Sequence, residues 1–180
     1  MANHNLFGIQ RPPRSTQDTY SDLGYQSEPF IYTTASFLEA HARLFGLTVA
    51  SAKTAKVLEL GGSYGGNAIT QAFLNQEAHY TVVDLSQEQI EGGQAIVDEL
   101  GLKNIKLVHK NIMDLDESFG KFDYIIAHGL YSWVDDQVKD RILDTIRDLL
   151  EDHGVAYLSY NTYPGWHTMD EVRQLMLFAN

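Results

Sequence analysis

The chain has 180 residues, of which 44% are hydrophobic and 21% charged, enough apolar material for one globular domain with a real core. Its formal charge of −11 speaks against a broad basic face for nucleic acid and against an anionic membrane surface. The absence of cysteine excludes disulfides, thiolate catalysis and any Cys-ligated metal.

Residues 1–30 are polar and carry Pro12, Pro13 and Pro29, which predicts an extended N-terminal arm. "MANHNLFGIQRPPR" lacks the apolar centre of a secretory leader, and no apolar run approaches the roughly 20 residues that span a bilayer. A cytoplasmic location is the expectation. "TTASFLEAHARLFG" predicts a helix with Phe37, Leu38, His41, Leu44 and Phe45 on its apolar face, closed by Gly46. On that face His41 is expected to be partly buried.

From residue 56 strands and helices alternate. "KVLEL" reads as a first strand, "NAITQAFLN" as a helix and "HYTVVDL" as a second strand. Ser86 caps a helix through Leu100 that Gly101 closes; "IKLVHKN" and "KFDYIIAHG" follow as strands three and four. The helix from about Asp135 to Leu150 sets Val138, Ile142, Ile146 and Leu149 on one stripe. "GVAYLSYN" is the fifth strand, and Thr168 with Glu171 has the spacing of a capping box for a last helix to about Ala179. Strands separated by helices predict a parallel α/β sheet with right-handed crossovers.

Between the first strand and its helix lies "LELGGSYGGN", with four glycines in the six residues from Gly61 to Gly66. In an open α/β sheet ligands sit at the carboxyl ends of the strands near this turn, and glycine allows the backbone to approach them closely. A dinucleotide fingerprint aligns with Gly61, Ser63 and Gly66, and a methyltransferase loop aligns with Glu59, Gly61, Ser63 and Gly65. The loop alone fits both. The surroundings favour the second, because Glu59 would repel a pyrophosphate but attract the ammonium and sulfonium of S-adenosylmethionine. Asp84 ends the second strand as an acceptor for ribose hydroxyls, and Asn111 ends the third, placed for the edge of adenine.

"LELGGSYGGN", "VVDLSQEQIEGG", "FDYIIAHGLYSWV" and "SYNTYPGWH" together resemble bacterial methyltransferases that carry a methyltransferase regulatory domain, a group that includes lysine methyltransferases of outer-membrane proteins. The likeness runs from about Tyr20 to Phe178. It implies an α/β, Rossmann-like class I methyltransferase fold with a mostly parallel sheet in residues 31–180. It implies S-adenosylmethionine as cofactor, held by Glu59, Gly61, Ser63, Gly65, Asn67, Asp84, Leu85, Asn111, Ile112 and His128. A protein lysine is the implied acceptor, with a small-molecule amine or hydroxyl as the other. The family's regulatory segments have no counterpart here, and a full class I sheet adds a hairpin beside strand five. The chain is therefore expected to be C-terminally incomplete, with self-association at the strand-five edge. Gly62, Ser63 and the bulky Tyr64 depart from the family's loop, and Asn111 replaces its usual aspartate.

Tyr131 and Trp133 after strand four, with Asn161 and Tyr163 after strand five, are candidate catalytic or substrate-rim residues; packing is the competing role for each. The seven histidines show no metal-ligand spacing. Gly92 and Gly93, inside a helix at a cost of roughly 1 kcal/mol each relative to alanine, point to close packing or a kink. A nicotinamide-dependent oxidoreductase and a non-catalytic cofactor-binding protein remain the alternatives.

Overall fold

The computed structural model describes residues 27–178. Most of the predicted arm, residues 1–26, lies outside them, as do Ala179 and Asn180. Five strands form one parallel sheet: β1 (Lys56–Leu60), β2 (His79–Asp84), β3 (Ile105–His109), β4 (Phe122–Ala127) and β5 (Leu150–Leu158). Their order is β3-β2-β1-β4-β5, so the chain winds outward from β1 in both directions. The carboxyl ends on either side of that reversal are where such sheets place their ligands.

Alternate residues of the inner strands feed two cores. Val57, Tyr80, Val82, Tyr124 and Ile126 face one way, against α1 (Ala35–Leu44), α2 (Gly66–Leu74) and α3 (Gln87–Leu100). Leu58, Leu60, Val83, Ile125 and Ala127 face the other, against α4 (Asp136–Leu149) and the 3₁₀ turns between β3 and β4. Burial on both faces explains why these strands read as short continuous apolar runs. Ser86 accepts from the Gln89 N–H at the start of α3, and Gly101 ends it at φ +67°, as the sequence indicated. Asp135 caps α4 in the same way through Val138, whose stripe of Ile142 and Leu149 is buried.

Three expectations are corrected. In α1 the face turned to the sheet is Ala35, Leu38 and Ala42, while His41 is exposed and its Nδ1–H donates to the Phe37 carbonyl at 2.9 Å. Leu44 and Phe45 are 82% and 83% exposed. Small residues bring this helix close to the sheet, and the bulky ones have no room on that side. The last helix, α5 (His167–Phe178), starts before Thr168, which therefore sits inside it and not at its cap. The chain also re-enters the sheet earlier than "GVAYLSYN": β5 begins at Leu150, directly after α4, and slips register between the Phe122 and Tyr124 pairings before it runs regularly from Val155. Among the described residues β5 pairs only with β4, and α5 buries none of its side chains.

Candidate active site

The turn after β1 needs left-handed backbone three times: Gly61 (φ +69°), Ser63 (φ +53°) and Gly65 (φ +75°). Glycine takes this region at no steric cost, but a serine there is strained. The Asp84 carboxylate holds it in place. Asp84 is only 2% exposed; one oxygen accepts from the Ser63 N–H at 2.8 Å and the other from the Ser86 N–H at 2.9 Å. Asp84 thus ties the glycine loop to the start of α3.

The glycine pair in α3 belongs to the same construction. A Cβ on Gly93 would lie 2.2 Å from the Tyr64 carbonyl oxygen and 2.4 Å from Leu107, and one on Gly92 would lie 2.9 Å from the Tyr64 ring. Of the two explanations read from the sequence, close packing is the one observed: α3 is thinned where the loop's tyrosine lies on it.

Glu59 is the centre of the site. It is the penultimate residue of β1, almost fully buried at 6% exposed, and its Oε1 accepts from Asn67 Nδ2 at 3.0 Å. Its Oε2 is buried without a hydrogen-bond partner. Burial pushes its pKa up to about 7, against the opposing pull of the Asn67 amide and of the Ala68 backbone N–H at the start of α2. A buried carboxylate with an idle oxygen is costly unless something cationic or hydrogen-bond-donating meets it. The space beside it is a cavity of about 320 Å³ lined by Ser27, Glu28, Phe30, Glu59, Gly61, Gly62, Ser63, Asn67, His128 and Gly129. Ser63 Oγ is a second buried oxygen without a partner at this wall. Burial also holds His128 below its ordinary pKa, which favours the neutral imidazole.

Of the predicted cofactor residues, the cavity gathers Glu59, Gly61, Ser63, Asn67 and His128. Gly65 and Asp84 lie behind it in the loop's own framework. Leu85 is exposed at the end of β2. Asn111 stands apart after β3, where its Oδ1 accepts from the Met113 N–H at 2.9 Å and caps the short turn that Ile112 begins. Sequence reasoning missed Ser27, Glu28 and Phe30, which it assigned to the arm. The Ser27 hydroxyl accepts from the Gly66 N–H at 2.8 Å, and the Phe30 ring stacks on His128 with centroids 4.5 Å apart. No periodicity marks such contacts, which join polar atoms more than thirty residues apart.

The four rim candidates do come together, in a second cavity of about 480 Å³ lined by Tyr131, Ser132, Trp133, Lys139, Tyr160, Asn161, Tyr163, Trp166, Asp170 and Arg173. The Asn161 N–H donates to Ser132 Oγ at 2.8 Å and the Gly129 N–H donates to Ser159 Oγ at 2.8 Å, so the loops after β4 and β5 are stitched to each other. Trp133 and Trp166 meet nearly at right angles, 78° and 5.9 Å between centroids. The Tyr163 hydroxyl donates to Asp170 at 2.5 Å, an interaction that raises the tyrosine pKa. A larger hollow of about 840 Å³ runs along α5 from Tyr163 to Phe178 and contains no glycine-loop residue.

A parallel sheet with this order, a glycine turn after β1 and acids in the last two positions of β1 and β2 define a nucleotide-cofactor α/β protein. Residues 58–156 match the family described as "Methyltransferase domain", and the chain belongs to it, with the Rossmann-like fold of class I S-adenosylmethionine-dependent methyltransferases. Two uncharacterized proteins of Rickettsia prowazekii are similar. One is 45% identical over 88% of this chain and 29% of its own length; the other is 39% identical over 92% of this chain and 66% of its own. The structure of PKMT2 from Rickettsia typhi in complex with AdoHcy superposes with a TM-score of 0.81 and 42% identity, over 86% of this chain and 30% of that one. The chain thus spans less than a third of two of these relatives and about two thirds of the other. Among the described residues, no helix is long and apolar enough to cross a membrane.

Proposed function

We propose that the glycine-loop cavity binds S-adenosylmethionine and that the domain transfers its methyl group to an amine, the side chain of a protein lysine, in the cytoplasm. The observation that carries this reading is the buried oxygen of Glu59 without a hydrogen-bond partner, on a residue that lines that cavity. A carboxylate there suits the cofactor's ammonium and opposes a dinucleotide's pyrophosphate, so the nicotinamide alternative is disfavoured by the same atom. The AdoHcy complex of the similar Rickettsia typhi protein supports the cofactor, and its name together with the sequence resemblance supports the lysine.

Bound there, S-adenosylmethionine would supply an electrophilic methyl group on a sulfonium. The chain's part is placement and exclusion of water, the main demands of an in-line displacement. Glu59 would fix the amino-acid end of the cofactor, Asp84 and Asn111 would serve the ribose and adenine, and Gly61 would allow close approach of the backbone. Tyr131, Trp133, Asn161 and Tyr163 would form the acceptor's entry, where aromatic faces favour an alkylammonium. The lysine must lose its proton before attack, and the neutral His128 at the end of β4 is one nearby acceptor. The open edge of β5 and the exposed apolar side of α5 are, in this reading, covered by further chain or by a second copy, and the resemblance supports a regulatory segment acting on the domain.

Calorimetric titration with S-adenosylmethionine, S-adenosylhomocysteine and NADH tests the cofactor. Binding of the first two and not the third is expected, and the reverse order would refute the reading. Transfer of labelled methyl to lysine-rich protein separates an enzyme from a protein that only binds.

A further inference from the structure

Residues 27–33 reach the cofactor cavity through three hydrogen bonds and one ring stack, and two of the bonds converge on Asn67. The Ser27 hydroxyl accepts from the Gly66 N–H, the first turn of α2. The Phe30 N–H donates to Asn67 Oδ1 at 3.1 Å, and the Thr33 hydroxyl shares its one proton between the Phe30 carbonyl at 2.8 Å and the same Asn67 oxygen at 3.1 Å. From the other end of that amide, Nδ2 donates to Glu59 Oε1 at 3.0 Å. Thr33 is fully buried, and a Cβ on Gly66 would lie 2.0 Å from the Ser27 carbonyl oxygen, so the segment sits directly on the loop. Phe30 lies on His128 with an interplanar angle of 20°.

We infer that residues Ser27–Thr33 are a strap forming the outer wall of the cofactor cavity, and that Asn67 is a positioning residue coupling this strap to the amino-acid end of the cofactor through Glu59. The inference rests on the proposed S-adenosylmethionine site. An amide polarised at one end accepts more strongly at the other, because hydrogen bonds in a buried chain reinforce one another. A cation on the idle Glu59 oxygen fixes the carboxylate in its charged form. The charged carboxylate draws harder on Nδ2, and Oδ1 then holds Phe30 and Thr33 more firmly. A ligand without an ammonium leaves Glu59 as it was and the strap no tighter. The strap in turn holds Phe30 against His128, at the wall shared with the loop after β4, so cofactor occupancy and the shape of that wall are one event.

Hydrogen exchange of the Phe30, Thr33 and Gly66 amides tests this with two probes, S-adenosylhomocysteine and 5′-methylthioadenosine. Both carry adenosine and a thioether, and only the first has the ammonium. The expected result is at least tenfold slower exchange at these amides with saturating S-adenosylhomocysteine and little change with methylthioadenosine. In N67D the acceptor oxygens for Phe30 and Thr33 remain while the donor to Glu59 is lost. That variant should bind S-adenosylhomocysteine at least tenfold more weakly and methylthioadenosine as before, with the strap amides unresponsive to either. T33V, which removes the hydroxyl shared between Asn67 and the Phe30 carbonyl and leaves Glu59 untouched, should weaken only S-adenosylhomocysteine, and by less. Equal protection by both probes, or tight binding of S-adenosylhomocysteine with the strap amides unchanged, overturns the inference and leaves the cofactor site standing. Binding of neither probe by the folded wild-type protein overturns the cofactor site itself.

Discussion

Around the glycine loop, Glu59, Asn67 and Asp84 are buried, and each is held by a hydrogen bond to a neighbouring element. One strand further out, Trp133, Tyr160 and Tyr163 stand 58%, 61% and 64% exposed, and α5 beyond them buries nothing. The first region is shaped before any ligand arrives, by polar groups whose geometry burial makes expensive to change. The second is a collection of rings whose mutual contacts are few and whose surfaces face outward. One side is preorganised and the other is left to be completed.

The largest expected effect breaks the first region at its carboxylate. Burial raises the Glu59 carboxyl from its ordinary pKa of 4.5 to about 7 in the folded protein. A group raised in this way contributes stability that is fully present below about pH 4.5 and is lost as pH rises through about 7. The shift corresponds to at most about 3 kcal/mol. Urea denaturation across that window should show wild-type stability falling relative to Glu59→Gln, the variant being the more stable ligand-free protein at pH 8 and the poorer binder of S-adenosylmethionine. Parallel stability profiles for the two proteins would mean that Glu59 is not the titrating group.

Next in size is the seat of Tyr64. Helix propensity alone predicts that Gly93→Ala stabilises α3 by roughly 1 kcal/mol. The 2.2 Å approach to the Tyr64 carbonyl predicts the opposite sign. Overpacking of this kind costs about 1–3 kcal/mol, so thermal unfolding should show a lower Tm. Gly92→Ala, opposed only by a ring that can turn, should cost less. A rise in Tm for Gly93→Ala would show that the loop does not rest on the helix.

Smaller again is Ser63→Gly, which relieves left-handed strain of about 1 kcal/mol while adding chain entropy to the unfolded state. A change within about 1 kcal/mol of zero in chemical denaturation is expected. At the rim, Trp133→Ala should shift stability by no more than about 0.5 kcal/mol, as for other exposed positions. It should nonetheless raise KM for a protein acceptor while leaving S-adenosylmethionine affinity unchanged. A loss of several kcal/mol would assign Trp133 to packing and erase the contrast between the two regions.

The sheet was legible because its strands are buried on both faces, and Val82–Val83 and Tyr124–Ala127 announce themselves as apolar runs. The caps of α3 and α4 were legible because a serine, an aspartate and a glycine each do one local job there. Glu59 and Asp84 could be placed at strand ends for the same reason, while their states could not: the idle oxygen of one and the loop-holding bonds of the other are three-dimensional facts. The inward face of α1 was misread because hydrophobic size points to Phe37, Leu44 and Phe45, whereas close approach to the sheet selects Ala35 and Ala42. The strap escaped notice because Ser27, Phe30 and Thr33 are joined to the loop by single polar atoms and a ring, with no repeat to mark them. Tyr64 and Gly92–Gly93 were each noted as oddities, and only their contact shows them to be one feature.

The central claim is that the buried carboxylate of Glu59 receives the cofactor's ammonium. Isothermal titration of S-adenosylmethionine into the wild-type protein between pH 5.5 and 8, in buffers of different ionisation enthalpy, measures it most directly. Binding a cation lowers the Glu59 pKa, so the account predicts one site, proton release on binding that is largest below pH 7, and affinity that rises with pH until it levels above 7, with both pH effects absent in Glu59→Gln. Binding whose affinity and proton balance are the same at every pH, or are unchanged in Glu59→Gln, would contradict it.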